Sequence, residues 1–81
     1  MRPFEENPNK ALELNQIQQR LRECIKNAPF SQKEIAMAIG VSPQTVSKYM
    51  KLDIFPALDT LAKLCKFIDV KSDYILGLFE Y

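Results

Sequence analysis

The chain has 81 residues, of which 47% are hydrophobic, and its formal net charge is +1. That length allows a single domain with a modest core and leaves little room for a deep catalytic cleft. The longest apolar run, residues 75–79, is far shorter than the roughly 20 residues of a membrane-spanning helix, and the first ten residues show no secretory signal. We therefore expect a small cytoplasmic protein with no membrane segment.

Residue types that commonly carry catalysis or bind metal ions are scarce. The chain has no histidine, and its two cysteines, Cys24 and Cys65, form no Cys-x-x-Cys motif. Both cysteines fall on apolar helical stripes, where a thiol acts as a small hydrophobic group. No nucleophile with a base, no paired carboxylates and no phosphate-cradling loop can be assembled. We expect no metal site, no cofactor and no enzymatic activity.

Charge is distributed unevenly along the chain. Residues 26–51 carry four lysines against one glutamate, whereas residues 52–81 carry three lysines against five acidic residues. A polyanion would be attracted to the middle segment and not to the C-terminal third.

Apolar spacings of three and four residues predict a first helix over about residues 9–27. Pro29 ends it, because proline restricts the residue before it and lacks an amide donor. The apolar stripe of this helix consists of Leu14, Ile17, Leu21, Cys24, Ile25 and Ala28.

A second helix is predicted over residues 31–39. Ser31 and Glu34 form a capping box, in which each side chain bonds to the other residue's amide. Gly40 ends the helix, since glycine adopts the left-handed conformation at low cost.

A third helix is predicted over residues 42–51. Ser42 is a good N-cap and Pro43 a favoured first helical residue. Val41 and Val46 form a hydrophobic staple across the helix start.

Further helices are predicted over residues 57–68 and 72–78. The inward face of the fourth helix would consist of Leu58, Leu61, Ala62, Cys65 and Ile68. No segment alternates with period two, so the fold class is all-α with five helices. Residues 1–14 are interpreted as an N-terminal arm and the start of the first helix, and residues 15–81 as one domain.

The second and third helices are separated by a turn too short for anything except a packed corner, which is the pattern of a helix-turn-helix. Gln44 can present its amide to an adenine edge, and Lys48 can donate to guanine acceptors. The phosphate backbone of DNA could be bound at the start of the second helix, by Gln32, Lys33 and the free amides there. The predicted DNA-binding residues are Gln32, Lys33, Ser42, Pro43, Gln44, Thr45, Ser47, Lys48 and Lys51.

Three segments resemble the phage lambda repressor and Cro-like (Xre) family. They are residues 31–51, 56–61 and 69–77, which read SQKEIAMAIGVSPQTVSKYMK, PALDTL and DVKSDYILG. The resemblance covers about residues 15–77. It implies a compact five-helix lambda-repressor-like domain that dimerises on a near-palindromic operator and reads bases from the start of its third helix.

The sequence departs from that family at three places. Ile25 and Met50 stand where many relatives have an arginine and a glutamate, and an apolar pair can replace a buried ion pair without loss of stability. Residues 52–54 stand where relatives often have glycine and basic residues, which weakens the expected phosphate contacts there. The serine before the last helix is shifted by one position, to Ser72.

The loop after the third helix and the C-terminal tail are unusually apolar. Some of these side chains would cap the core, and others would form a dimer patch, since contiguous exposed apolar surface marks interfaces. The predicted interface residues are Ile54, Phe55, Leu78, Phe79 and Tyr81.

Two functions remain open on the sequence. The first is a homodimeric transcriptional regulator of phage, mobile-element or antitoxin type, expected to act as a repressor, that binds double-stranded DNA and has no small-molecule ligand domain. The second is a helix-turn-helix protein-interaction module or antitoxin-type partner with weak or no DNA binding, which the near-neutral net charge favours. Arg20, Arg22 and Lys26 are interpreted as ordinary surface charges.

Overall fold

A computed structural model describes residues 9–51 and 54–78. All regular structure in these ranges is helical, which confirms the expected all-α fold with five helices. The elements are a 3-10 turn at Lys10–Leu12 and the helices α1 (Leu14–Asn27), α2 (Gln32–Ile39), α3 (Pro43–Met50), α4 (Leu58–Ile68) and α5 (Ser72–Leu76).

The first and last helices are shorter than predicted. A continuous helix from residue 9 is wrong, because Glu13 has an extended backbone (φ −71°, ψ 147°) that separates α1 from the turn at Lys10–Leu12, here called the N-terminal turn. The last helix ends at Leu76 and not at residue 78, because Gly77 adopts the left-handed conformation with φ +83°. Ser31 and Ser42 are the N-caps of α2 and α3, as predicted, and Ala57 is the N-cap of α4 and not its first residue.

The core draws residues from all five helices, with α2 packed on α3 and α4, and α1 packed on α3 and α5. The prediction that Leu14, Leu58 and Ala62 turn inward is wrong: the two leucines are 65% and 85% exposed, and Ala62 is exposed as well. Leu64, which the predicted stripe omitted, is fully buried. The residues of α4 that face the core are 61, 64, 65 and 68. Leu58 lies about one helical turn before the first of them and therefore does not reach the core.

The departures from the family pattern are accommodated by apolar packing. Ile25 is buried, and Met50 is partly buried and packs against the same core. Cys65 belongs to the core and Cys24 packs against it, as predicted for two small hydrophobic groups. None of the described helices combines the length and the apolar character that a membrane crossing requires.

Arg20 is not an ordinary surface charge, so that interpretation is wrong. Its guanidinium is part-buried, and Nε donates to the Ile75 carbonyl of α5 at 3.0 Å. Nη2 of the same group donates to the Ala11 carbonyl of the N-terminal turn. One side chain of α1 therefore joins the two ends of the described chain.

Candidate nucleic-acid interface

The corner between α2 and α3 is made by Gly40. Its backbone is left-handed (φ 77°, ψ 32°), and the Val41 amide donates back to the Ala36 carbonyl at 3.0 Å. A Cβ at Gly40 would meet no atom within 4 Å, so the backbone conformation and not a lack of space requires glycine here. Three residues later, at Pro43, α3 begins.

The first turn of α3 is fixed by its N-cap. The Ser42 hydroxyl accepts a hydrogen bond from the Thr45 amide at 3.2 Å, and Pro43 occupies the first helical position. Proline there is already held at a helical φ and has no amide to leave unpaired. The start of α3 is therefore set by local bonds and does not depend on a ligand.

Two buried side chains anchor α3 to the core. Val46 and Tyr49 are almost completely buried, which holds the helix at a fixed rotation. Gln44, Lys48 and Lys51 lie at spacings of four and three residues and are exposed, so they follow one outward face. Of the other predicted contacts on this helix and its cap, Ser42 and Pro43 are exposed, and Thr45 and Ser47 are half-buried.

The start of α2 presents Gln32 and Lys33 to solvent. Beside them the capping box is complete: the Glu34 amide donates to Ser31 Oγ at 3.0 Å, and the Ser31 amide donates to Glu34 Oε1 at 2.8 Å. Those two amides are occupied by protein groups. An anion at this helix start would therefore bind through the side chains of Gln32 and Lys33 and their own amides.

The electrostatics of this surface favour an anion. Across residues 31–51 the charged residues are three lysines (33, 48 and 51) and Glu34. The Glu34 carboxylate is held at the Ser31 amide, on the α2 side of the corner, and α3 carries no acidic side chain. Gln44, Lys48 and Lys51 together form what we call the polar stripe of α3.

A second surface feature is an apolar groove of about 220 Å³ between α1, α5 and the start of α4. All of its lining residues are uncharged. They are Leu14, Ile17, Leu21, Phe55, Pro56, Leu58, Leu61, Ile75 and Leu76.

Three of the predicted interface residues, Ile54, Phe55 and Leu78, are exposed, and Phe55 lines the groove. The other two, Phe79 and Tyr81, lie outside the described residues. Sequence reasoning missed Leu14 and Leu58 as surface residues. Both fit the apolar spacing of their helices, so no local signal distinguished them from core positions.

Clusters of three or more histidine, cysteine, aspartate or glutamate side chains that could hold a metal ion do not occur within residues 9–51 and 54–78. Of the two free thiols, Cys65 is buried and Cys24 is half-buried. The chemistry that the described surface offers is hydrogen bonding and charge at the polar stripe, and apolar contact at the groove.

Comparison with known proteins places this arrangement in a family. A helix-turn-helix family model matches residues 21–75. The HTH-type transcriptional regulator ImmR of Bacillus subtilis (strain 168) is 36% identical over 61 residues, which cover 75% of this chain and 48% of ImmR. The uncharacterized HTH-type transcriptional regulator YobD of the same organism is 37% identical over 62 residues, covering 76% of this chain and 55% of YobD.

A solved structure agrees with these relatives. The solution structure of the SOS-response transcriptional repressor LexA from Eubacterium rectale matches with a TM-score of 0.66 at 25% identity, over 88% of this chain and 71% of that one. The present chain spans about half the length of the two curated relatives it matches. The family match covers both helices of the corner and the core that supports them. This chain is therefore a member of the lambda repressor/Cro-like (Xre) helix-turn-helix family.

Proposed function

We propose that this chain binds specific sequences of double-stranded DNA as a small transcriptional regulator, with α3 in the major groove. The observation that carries the proposal is the polar stripe, held outward by the buried anchors Val46 and Tyr49. A rigid helix of this kind fits the major groove, where each base pair presents a distinct pattern of donors and acceptors.

The individual roles follow from side-chain chemistry. Gln44 reads an adenine edge and Lys48 donates to guanine acceptors. Gln32 and Lys33 on α2, with Lys51 at the end of α3, contact phosphates and set the orientation of the domain. Ser42, Pro43, Thr45 and Ser47 line the same surface.

The proposed assembly is a homodimer on a near-palindromic operator. A twofold interface brings identical patches together, so like charges in the patch would repel each other. The apolar groove has no charged lining residue, which makes it suited to a second copy of itself. Exposed Ile54 and Phe55 extend the apolar surface, and Leu78, Phe79 and Tyr81 are proposed to do so from the C-terminal side.

Repression is the proposed direction of regulation, and the cytoplasm, where a bacterial operator is accessible, is the proposed compartment. The printed names of ImmR, YobD and LexA support a role in transcription, and that of LexA specifies a repressor. All three names describe regulators of transcription, which supports a non-catalytic role for this chain.

Selection of bound sequences from a random duplex pool tests the DNA-binding proposal. We expect enrichment of a near-palindromic sequence, and loss of that enrichment in Lys48→Glu. Lys63→Glu is the matched control, because it makes the same charge change on an exposed position of α4. Equal loss in both variants would indicate a non-specific charge effect, and no enrichment at low salt would contradict the proposal.

The second candidate function is a protein-interaction module that binds little or no DNA. The apolar groove and the formal net charge of +1 favour it. Such a protein would show no measurable duplex affinity even at low salt, whereas a DNA binder loses affinity steeply as salt rises.

The oligomeric state is measured separately by light scattering. Leu58→Glu places a charge on the most exposed leucine of the groove, at 85% exposure. Met37→Glu on α2, at 76% exposure and outside the groove, is the matched control. We expect the first variant to be monomeric and the second to dimerise like the unmodified chain; a monomeric unmodified chain would contradict the homodimer.

A further inference from the structure

A second groove, separate from the apolar one, lies between α2 and α4. It has a volume of about 410 Å³ and is lined by Ala38 from α2 and by Lys63, Lys66 and Phe67 from α4. Ala38 is exposed, and its short side chain leaves the space between the two helices open. We call this feature the basic groove, because both of the charged residues that line it are lysines.

An aromatic side chain forms the apolar part of the basic groove. Phe67 is half-buried and packs against the core. Its ring centroid lies 4.4 Å from that of Phe30, in the loop between α1 and α2, and the two ring planes are inclined by 35°. Because both the core and Phe30 hold this ring, it presents a fixed apolar surface to a ligand.

Two ammonium groups accompany that apolar surface. Lys63 and Lys66 are exposed and three residues apart, so they lie on the same face of α4. Neither of them forms an ion pair with a carboxylate of residues 9–51 and 54–78. The side chains that line the groove therefore combine an aromatic ring with two positive charges that the described part of the chain leaves unpaired.

The carboxylates on the adjacent helical turns are engaged at helix starts. Asp59, one turn before Lys63 on α4, accepts a hydrogen bond through Oδ1 from the next amide of the chain at 2.9 Å. Glu34, one turn before Ala38 on α2, accepts one from the Ser31 amide at 2.8 Å. Since both carboxylates are held one turn away from the basic groove, the groove attracts a negatively charged ligand.

We propose that the basic groove binds a segment of a partner protein in which an apolar side chain is flanked by carboxylates. The apolar side chain contacts Phe67, and the carboxylates bond to Lys63 and Lys66. An apolar centre inside a polar rim is the usual arrangement of a protein interface, and complementary charge selects and orients the partner. A DNA duplex would bring phosphates to the two lysines and would leave the Phe67 ring without an apolar contact.

The basic groove and the polar stripe of α3 have no residue in common, because the groove is lined from α2 and α4. A partner segment in the groove therefore covers no residue of the polar stripe. The proposal goes beyond DNA binding through α3 and does not depend on it, so each of the two can fail while the other stands.

Titration of the full chain with synthetic peptides, followed by amide NMR spectra, tests the proposal. The probe is a blocked peptide of sequence EEFEE, and its matched peptides are EEAEE, which lacks the ring, and KKFKK, which reverses the charge. We expect EEFEE to shift the amide signals of Ala38, Lys63, Lys66 and Phe67 until they saturate. EEAEE should bind at least about fivefold more weakly, because it buries less apolar surface, and KKFKK should leave these signals unchanged.

Two results of this titration would overturn the proposal. Equal affinity for EEFEE and EEAEE would mean that the Phe67 ring contributes nothing and that the groove is a plain anion site. Signals that do not approach saturation at about 1 mM EEFEE would mean that the groove binds no such segment.

Variants of the chain locate the site. Ala38→Phe fills the groove from α2 without a change of charge and should abolish binding of EEFEE; Met37→Phe, at the adjacent exposed position outside the groove, is its matched control. Lys66→Ala should weaken binding roughly two- to fivefold, as expected for one exposed ion pair. Its matched control is Lys71→Ala, at an exposed position before α5. Equal effects in either variant and its control would overturn the proposal.

Other occupants of the basic groove would give different spectra. A DNA duplex that shifts the amide signals of Lys63 and Lys66 as strongly as EEFEE would assign the groove to nucleic acid. Shifts of these signals that grow with protein concentration alone would assign it to a second copy. Phe4, Glu5 and Glu6, which lie outside the described residues, have the composition of the probe. If Phe4→Ala moved the same signals without any peptide, the occupant would be this segment of the chain itself. Each of these three results would overturn the proposal.

Discussion

The Ser42 hydroxyl lies 2.9 Å from the Thr45 hydroxyl and also accepts a hydrogen bond from the Thr45 amide at 3.2 Å. These two contacts hold the first turn of α3 together on the surface proposed to contact DNA. Ser42 therefore stabilises the start of α3, whether or not it also contacts a phosphate.

The N-cap predicts a measurable loss of stability in Ser42→Ala. We expect the free energy of unfolding to fall by about 1 kcal/mol, the usual cost of removing a serine cap. Urea denaturation measures it, and Ser47→Ala is the control, since Ser47 is on the same helix and its hydroxyl bonds to no group in residues 9–51 and 54–78. Equal losses of unfolding free energy in the two variants would show that the Ser42 cap does not stabilise α3.

Gln44→Ala tests direct reading of bases. Gln44 is exposed in the first turn of α3 and its side chain supports no core contact, so the fold should be unchanged. We expect relaxed preference at one or two base pairs and a cost of roughly 1–3 kcal/mol on the preferred sequence. Quantitative binding to a panel of single-base operator variants measures this. Uniform weakening on every sequence would mean that Gln44 does not read bases.

Salt dependence tests the proposed phosphate contacts. Replacing one phosphate-binding lysine should reduce the slope of log affinity against log salt by about 0.9 per contact, and a dimer contains each lysine twice. We expect this reduction for Lys33→Ala and Lys51→Ala, with Lys66→Ala on α4 as the control. Fluorescence anisotropy at several salt concentrations provides the slopes. If Lys33→Ala and Lys51→Ala gave the same slope as Lys66→Ala, Lys33 and Lys51 would not contact phosphates.

The corner and α3 could be predicted from the sequence because their determinants are local. Gly40, Ser42 and Pro43 each act on bonds within a few residues, so one-dimensional patterns describe them well. The polar stripe follows from the same periodicity, once Val46 and Tyr49 are taken as the inward residues.

Long-range features could not be predicted in this way. The Arg20 bonds span 55 residues to Ile75, and no local pattern distinguishes that arginine from Arg22. Leu14 and Leu58 fit apolar helical spacings and yet are exposed, because spacing identifies a stripe and does not show where along the stripe the neighbouring helices end. The groove arises from this difference, at the ends of α1 and α4.

Substitution by alanine should lower the free energy of unfolding by different amounts at the two glycines. At Gly40 only the left-handed backbone opposes a Cβ, so Gly40→Ala should cost about 1–2 kcal/mol of unfolding free energy. At Gly77 the same conformational cost applies, and a Cβ would also collide with the Ala11 carbonyl and the Arg20 guanidinium. Gly77→Ala should therefore be the more destabilising change in urea denaturation. Equal losses would mean that the N-terminal turn moves away at no cost.

Stability should fall at alkaline pH because three buried or half-buried groups resist ionisation. Burial raises the pKa of the Cys24 and Cys65 thiols above their ordinary value of 9.0, and negative charge on Cys65 and Glu23 raises that of Cys24 further. Burial likewise raises the pKa of the Tyr49 hydroxyl above 10.0.

For each of these groups the folded pKa lies above the unfolded one, so the unfolded chain releases its protons first as pH rises. The free energy of unfolding should be level below pH 9 and should decrease above it, with Tyr49 contributing beyond pH 10. Urea midpoints between pH 7 and pH 10.5 measure the decline, and Cys24→Ala, which removes one of the two thiols, should make it shallower. A midpoint that stays constant across this range would show that the thiols and the Tyr49 hydroxyl ionise as readily in the folded chain as in the unfolded one.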